Sequence, residues 1–316
     1  MVQQTADAAR VLPPCPITGA PAVRRIHGVS PRVIVDIWRY TQGVDVRRLF
    51  EGIDRITLYE SSTGLVFFEP RVIGDGAFYD RYYSRWNFPT RSGRRVDYRT
   101  AAGFIPDGAK VIDVGCGPGV FRQHLSHASY RGLDPYADDA DDVVIKETLE
   151  AHAAKHAGAY DVATAFHVIE HVADPRRHAE LMAQLIRPGG LLILAAPLHP
   201  SPLTEIPNFP INIPPHHVTW WNPGAFSALA RELGLEVVEA TVLAPSPYQG
   251  IIYWLHRFLP KRTDGPPRER YIAHRWSWHL SVAVAYVLAK VMSKLKTLPS
   301  NPRPVDAFLV ARKPVS

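Results

Sequence analysis

The sequence predicts an α/β fold organised as a doubly wound, seven-stranded sheet, with a small α+β lead domain before it and a helical insertion near its end. Three observations carry this. Val111, Ile112 and Val114 form a short apolar run, as a buried strand requires, and the loop Gly115-Cys-Gly-Pro-Gly119 follows it directly. A second run, Tyr130-Arg-Gly-Leu-Asp134, ends in an acid roughly twenty residues past the start of that loop. Further strand-length runs then alternate with helix-length amphipathic stretches as far as Lys313. In an open α/β sheet, ligands bind in the crevice outside the carboxyl ends of the strands, and the first strand-to-helix turn carries the glycine-rich fingerprint.

Residues 1–14 are small and polar and end in Pro13-Pro14, which predicts a disordered tail. The lead domain spans 15–77. Within it, two apolar runs between Ile56 and Phe68 flank Ser61-Ser-Thr-Gly64, a hairpin signal. Phe78 to Trp86, rich in Tyr and Arg, predicts the helix that opens the core over 78–244. After the first strand and its loop, Val120 to Leu125 begin a first core helix, Asp138 to Asp142 form a surface turn, and Val143 to Ile145 give a third strand. Asp161 to Val168 read as the fourth. Asp174 followed by Pro175 is a helix start, with an Asp N-cap and a Pro at the first helical position. Gly189-Gly190 ends that helix, and Leu191 to Ala196 form the fifth strand. Residues 200–223 carry seven prolines, and a long Pro-rich segment in a compact domain suggests a working loop. Pro223 to Gly234 predict a helix, and Leu235 to Val242 a sixth strand. The seventh, Val305 to Lys313, falls in the final piece, 305–316.

Between the last two strands lies an insertion over 245–304. Ile251, Ile252, Leu255, Phe258 and Leu259 recur at helical spacing, as do Leu280, Val284, Val287, Val291 and Leu295. Both stretches are flanked by basic residues, so peripheral contact with a membrane through 250–296 is one reading. Burial of these faces against the core or a second copy is the preferred one, because a large apolar face is usually covered.

The glycine spacing discriminates between ligands. A dinucleotide fingerprint runs G-x-G-x-x-G, so that a pyrophosphate lies on the helix N-terminus. Here the pattern is G-x-G-x-G, and Pro118 removes an N–H. Glycine loop and strand-end acid together imply an adenosine ligand without phosphates.

On these residues the chain resembles the class I S-adenosylmethionine (SAM)-dependent methyltransferases of the type 11/23-like branch. Four stretches agree in order and spacing: Val111 to Gly119, the strand ending at Asp134, Tyr160 to Pro175, and Leu185 to Pro197. The resemblance covers roughly residues 78–244 and the final strand. It implies a Rossmann-like core, SAM as cofactor and methyl transfer as activity. By the same resemblance, Asp113, Gly115, Cys116, Gly117, Gly119 and Asp134 bind the cofactor, Asp134 at the ribose hydroxyls. Leu149, within Glu147 to Glu150, takes the adenine, and Phe166 stands at the end of the fourth strand. Tyr82 or Tyr83 could offer the sulfonium a cation–π contact, Tyr82 being the choice. Relatives carry two cysteine pairs in the lead region. Cys15 to Gly19 resembles half of such a zinc knuckle, whereas Tyr59 to Gly64 has serines in place of cysteines, so a degenerate, metal-free knuckle is expected. Val44 to Phe50, Leu58 to Glu60, Phe67 to Pro70 and Phe78 to Tyr83 are similar to methyltransferases found among saccharide-modifying enzymes.

Composition adds exclusions. With Cys15 and Cys116 alone there is no disulfide framework, and no run of eighteen apolar residues suggests a membrane span. The N-terminus does not read as a secretion signal, so a cytoplasmic location is expected, including the inner face of a membrane. The net charge of +6 is regional, with nine Lys or Arg against two acids between Ile251 and Ser300. Arg81, Arg85, Arg91, Arg94, Arg95 and Arg99 form a second basic cluster, facing Asp97. No base-flipping motif and no basic stripe with interleaved aromatics accompanies them in the core, so a nucleic-acid partner is not expected.

The candidate catalytic residues are His167, Glu170, His171, His216 and His217. An imidazole suits proton transfer near neutral pH. His167 would approach the acceptor, Glu170 and His171 would shape the pocket wall, and the loop bearing His216 and His217 would close over it. His167-Val-Ile-Glu-His171 also invites a magnesium reading, but magnesium prefers oxygen ligands and no metal is expected. The expected acceptor is an oxygen of a small molecule or saccharide, a lipid-linked saccharide included. The alternative is a non-catalytic SAM-binding protein acting through its lead domain and insertion.

Overall fold

The structure is a computed structural model and describes residues 12–85, 95–137, 142–260, 271–273, 276–295 and 297–315. The first eleven residues of the expected tail, most of the acidic turn after Tyr136, and Arg91 and Arg94 lie outside the described residues.

Seven strands form a mixed sheet in the order β10-β11-β8-β7-β4-β5-β6. They are β4 (Lys110–Val114), β5 (Ser129–Leu133), β6 (Val144–Ile145), β7 (Tyr160–Phe166), β8 (Ile186–Pro197), β10 (Glu236–Val242) and β11 (Asp306–Arg312). β4 pairs in parallel with both β5 and β7, while β11 runs antiparallel to β8 and β10. The strand order therefore reverses at β4 and β7, and the crevice at their carboxyl ends is the place such a sheet offers to ligands. The core is split by the pleat of β8. Leu192, Leu194 and Ala196 face one layer with α4 (Leu149–Lys155), α5 (Pro175–Leu185) and α6 (Pro223–Glu232), whereas Leu191, Ile193 and Ala195 face the other with α3 (Val96–Ala102).

α5 starts as its sequence predicts: Asp174 caps the N–H of Arg177 at 2.9 Å and Pro175 holds the first position. It ends earlier, at Leu185, because the chain has already turned extended and β8 begins at Ile186. Gly190 lies inside that strand, where a Cβ would sit 2.6 Å from the carbonyl of Asp161. The expected first core helix is a single 3-10 turn, Val120–His124. The nine residues between Gly119 and Ser129 are too few for a full helix and its return.

A second sheet, antiparallel, has the order β1-β2-β3-β9: β1 (Arg24–Val29), β2 (Ile56–Glu60), β3 (Val66–Glu69) and β9 (Thr219–Trp220). Its last strand comes from the Pro-rich segment. That segment is an inner wall rather than a surface loop: His199, Ser201, Thr204, Asn208, Asn212, His216 and His217 are all buried. Asn212 donates to Leu203 O at 2.6 Å, and Trp220 Nε1 to Asn212 O at 3.0 Å. The prolines rigidify a packed path instead of marking an exposed one. Trp38, fully buried just after α1 (Pro31–Ile37), donates from Nε1 to Pro214 O at 2.8 Å and packs edge-on against Phe78 and Tyr82 of α2 (Gly76–Arg85). Cys15 is buried in the cluster that holds Ile17, Leu65 and Phe67, and Ser61 shares a hydrogen bond with Thr63, so packing supports this corner.

The insertion contains α7 (Gly250–Phe258) and α8 (Trp276–Lys294). Leu255 and Leu259 are buried against Trp278, Ala285 and Ala289 of α8. Of the preferred reading, covering by the core does not hold for the other stripe, which leaves burial against a second copy. Leu280, Val284, Val287, Val291 and Leu295 are 56–69% exposed, because α8 turns its small residues toward α7.

Candidate active site

Gly115, Gly117 and Gly119 have φ of +68°, +53° and +67°, a left-handed backbone that residues with a Cβ rarely adopt. At Gly115 a Cβ would also lie 2.5 Å from Val168 Cγ2. At Gly117 nothing lies within 4 Å, so this glycine faces open space where a ligand fits. Asp134 organises the loop, accepting from Gly117 N and from Tyr136 N, each at 2.8 Å. Gly115 N and Cys116 N both point to Leu133 O, and Gly119 N to Cys116 O. With Pro118 lacking an N–H, the loop has no free nest for a pyrophosphate, while Asp134 keeps acceptor capacity for hydroxyls. The residues present thus fit an adenosine ligand such as SAM.

The other cofactor-side residues support this loop from below. Asp113 is fully enclosed, accepting from Tyr130 Oη at 2.9 Å and Thr164 Oγ1 at 2.8 Å. Burial pushes its pKa up to about 7, against the pull of those two hydrogen bonds. Cys116 is buried with its thiol pushed up by burial, an inert filler beside Gly132. Phe166 meets Phe121 and Tyr98 at ring-centroid distances of 4.7 and 4.9 Å, and Leu149 opens α4 as part of the core. Tyr82 does not face the cleft. It is 1% exposed and turned against Trp38 and His216, whereas Tyr83 is 46% exposed. Burial and the charges of Glu170 and Asp134 raise the Tyr83 hydroxyl.

Beyond the end of β7, His167 has φ of +59° and hydrogen-bonds through its backbone N–H to Ala195 O at 2.8 Å. This left-handed turn throws its side chain, 28% exposed, among three carboxylates: Glu170 at 3.5 Å, Asp97 at 3.6 Å and Asp306 at 3.8 Å. Burial and Arg95 oppose the imidazolium, but Glu170 and Asp306 outweigh them and its pKa is raised. Asp97 is buried and ion-paired with Arg95, whose guanidinium lies 4.3 Å over the Tyr98 ring. Although burial opposes it, Arg95 holds Asp97 below the usual carboxylate range. Asp306, bonded to Gln249, is raised by burial. Neither acid stood out in the sequence. The available signals were a single acid within an Arg-rich stretch and a single acid opening an apolar strand.

Glu170, 1% exposed, sits beyond His167, with His171 and His217 at 3.8 and 3.9 Å from its Oε1. The rings of His171, His216 and His217 lie 4.4–4.8 Å apart. Burial pushes all three imidazoles below their ordinary pKa. The structure therefore gathers all five predicted catalytic residues in one cluster beyond the end of β7.

Residues 90–240 match a family described as a methyltransferase domain. Ubiquinone biosynthesis O-methyltransferases are similar over 97 residues, at 40% identity in Cronobacter sakazakii and 41% in Escherichia coli, covering 26% of this chain. The chain spans 40% of the length of these curated relatives. A SAM-dependent methyltransferase structure from Archaeoglobus fulgidus aligns with a TM-score of 0.45 at 19% identity, over 73% of this chain and 100% of that one. The glycine loop, the strand-end acid and the reversed strand order fall within this matched methyltransferase segment, which is similar to the class I SAM-dependent methyltransferases.

Proposed function

We propose that this chain is an enzyme that transfers a methyl group from SAM to a hydroxyl oxygen of a small molecule or saccharide, including a lipid-linked one. The observation that carries the reading is the pairing of two half-sites across the switch point: the glycine loop tied to Asp134, and His167 set in a polar chamber at the end of β7. When bound, SAM supplies an electrophilic methyl on a sulfonium. The chain's task is then alignment, since an in-line displacement is accelerated chiefly by holding the acceptor at near-attack distance. Asp134 and Gly117 hold the adenosine end. Glu170, Asp97 and Asp306 surround the place where positive charge resides, and His167 meets the acceptor. The buried wall of His171, His216 and His217 bounds it. Oxygen as the acceptor atom draws support from the O-methyltransferase relatives, and the saccharide from the wording of the lead region.

The exposed stripe of α8, with Lys290 and Lys294 on the same helix, supports peripheral contact with a lipid surface, where such an acceptor would reside. Among the described residues no helix is long and apolar enough to cross a membrane.

The test is calorimetric titration of SAM and S-adenosylhomocysteine, followed by turnover on phenolic, saccharide and lipid-linked saccharide acceptors. Micromolar binding with turnover on one class supports the reading. Binding without turnover on any would favour a non-catalytic SAM-binding protein, and no binding would overturn both.

A further inference from the structure

We propose that His171, His216, His217 and Glu170 bind one divalent first-row transition cation, of which Zn2+ is the representative. One ring nitrogen from each of the three histidines lies within 4.8 Å of the others. Their tautomers are set by their outer hydrogen bonds. His171 Nδ1 donates to His216 O at 2.8 Å, and His216 Nδ1 donates to Ile211 O at 3.1 Å. A carbonyl can only accept, so in both rings the proton sits on Nδ1 and Nε2 keeps its lone pair. Fixing a ligand's orientation through its outer nitrogen is how protein metal sites set their histidines.

Glu170 supplies the second, independent observation. Both of its carboxylate oxygens are buried without a hydrogen-bond partner, and so is His217 Nδ1. A buried carboxylate with no donor is rare and asks for a counter-charge. His167, 3.5 Å away, is shared with Asp97 and Asp306; His171 and His217, at 3.8 and 3.9 Å, stand too far for hydrogen bonds, and protonating several rings of the triad at 4.4–4.8 Å separation would set like charges together. A cation between the rings and Glu170 satisfies the carboxylate and uses the lone pairs at once.

The donor set selects the ion. Three imidazoles and one carboxylate suit zinc or cobalt, whereas magnesium and calcium want oxygen-rich shells. Metal–nitrogen bonds of about 2.1 Å place tetrahedral ligand atoms about 3.4 Å apart, so the rings must close inward by roughly an ångström. Two ligands stand in the turn after β7 and two in the Pro-rich segment. The ion would therefore clamp that segment, and the lead sheet it joins, to the methyltransferase core.

The experiment uses the untagged full chain, stripped with chelator and titrated with Zn2+ by calorimetry and with Co2+ by visible absorption, with metal content measured after dialysis. One equivalent bound, a tetrahedral Co2+ spectrum and a raised Tm are expected. Binding should weaken at least about 100-fold in H216A/H217A and fall measurably in E170Q. SAM titration of each variant reports whether it is folded. If the double variant does not fold, the wild-type Co2+ spectrum and the isosteric E170Q decide. The absence of wild-type binding, an octahedral spectrum, or affinity unchanged by these substitutions overturns the proposal.

Discussion

On the cofactor side of the cleft, the loop and most of the groups that hold it come from one stretch between Asp113 and Tyr136, joined by Thr164 of β7 at Asp113. On the acceptor side, Asp97 comes from α3, His167 and Glu170 from the turn after β7, His216 and His217 from the Pro-rich segment, and Asp306 from the first residue of β11. The first half is a local device whose backbone hydrogen bonds close on themselves. The second exists only once the tertiary fold has assembled. Recognition of a common cofactor can be encoded in a short motif, whereas the acceptor chamber can vary through each of its contributing segments.

This contrast can be broken by substitution. The largest effect is expected for Asp134→Ala, which removes the acceptor of two loop N–H groups and of the ribose hydroxyls. Two charge-assisted hydrogen bonds at about 2 kcal/mol each predict roughly a 1,000-fold loss of SAM affinity by calorimetry. An unchanged Kd would refute the cofactor half as described.

Next is Asp113→Asn. Because burial raises the folded pKa of Asp113 to about 7 while the unfolded chain ionises near 3.8, the folded state binds the extra proton. Wild-type stability from this group is complete below about pH 4 and is lost as pH rises toward 7, by up to about 4 kcal/mol. Urea unfolding should show the wild type losing ground to D113N between pH 5 and pH 8; parallel pH profiles would contradict it. His167→Asn, which tolerates the left-handed backbone, should cut kcat by about tenfold or more while SAM Kd moves less than twofold. Equal losses in both would mean that the two halves are not separable.

Trp38→Phe deletes the bond to Pro214 O and some packed volume, an expected cost of about 1–2 kcal/mol in chemical denaturation. Its kinetic signature should fall on acceptor KM and not on SAM binding. The smallest stability effect, within about 0.5 kcal/mol, is expected for Val284→Asp with Val287→Asp on exposed α8. The same pair should abolish sedimentation with anionic vesicles, and persistent sedimentation would exclude this face.

The sequence made the cofactor half legible because glycines at fixed spacing and a strand-end acid have local causes. The succession of strands along the chain was legible for the same reason, each run carrying its own period. Asp97 and Asp306 were not, since burial of a lone acid depends on what the fold brings to it. Proline density suggested a lid where the chain builds a wall, because Trp220 and Asn212 satisfy the backbone from within. The amphipathic stripe of α8 was visible, but periodicity cannot say which face is covered, and small Ala285 and Ala289 won the contact with α7. His216 and His217 were singled out as chemistry, while their meeting with His171 had no sequence signal at all.

The strand β9 has a consequence for how such chains can be recombined. Because β9 pairs with β3, and Trp220 and Ile213 share a cluster with Trp38 and Phe68, the lead sheet is completed by residues that follow the fifth strand of the core. A chimera that exchanges the lead region alone would splice a foreign sheet edge onto this wall. Inheritance of a new acceptor preference would therefore require residues near 12–85 and 198–222 to travel together, two distant stretches behaving as one transferable unit.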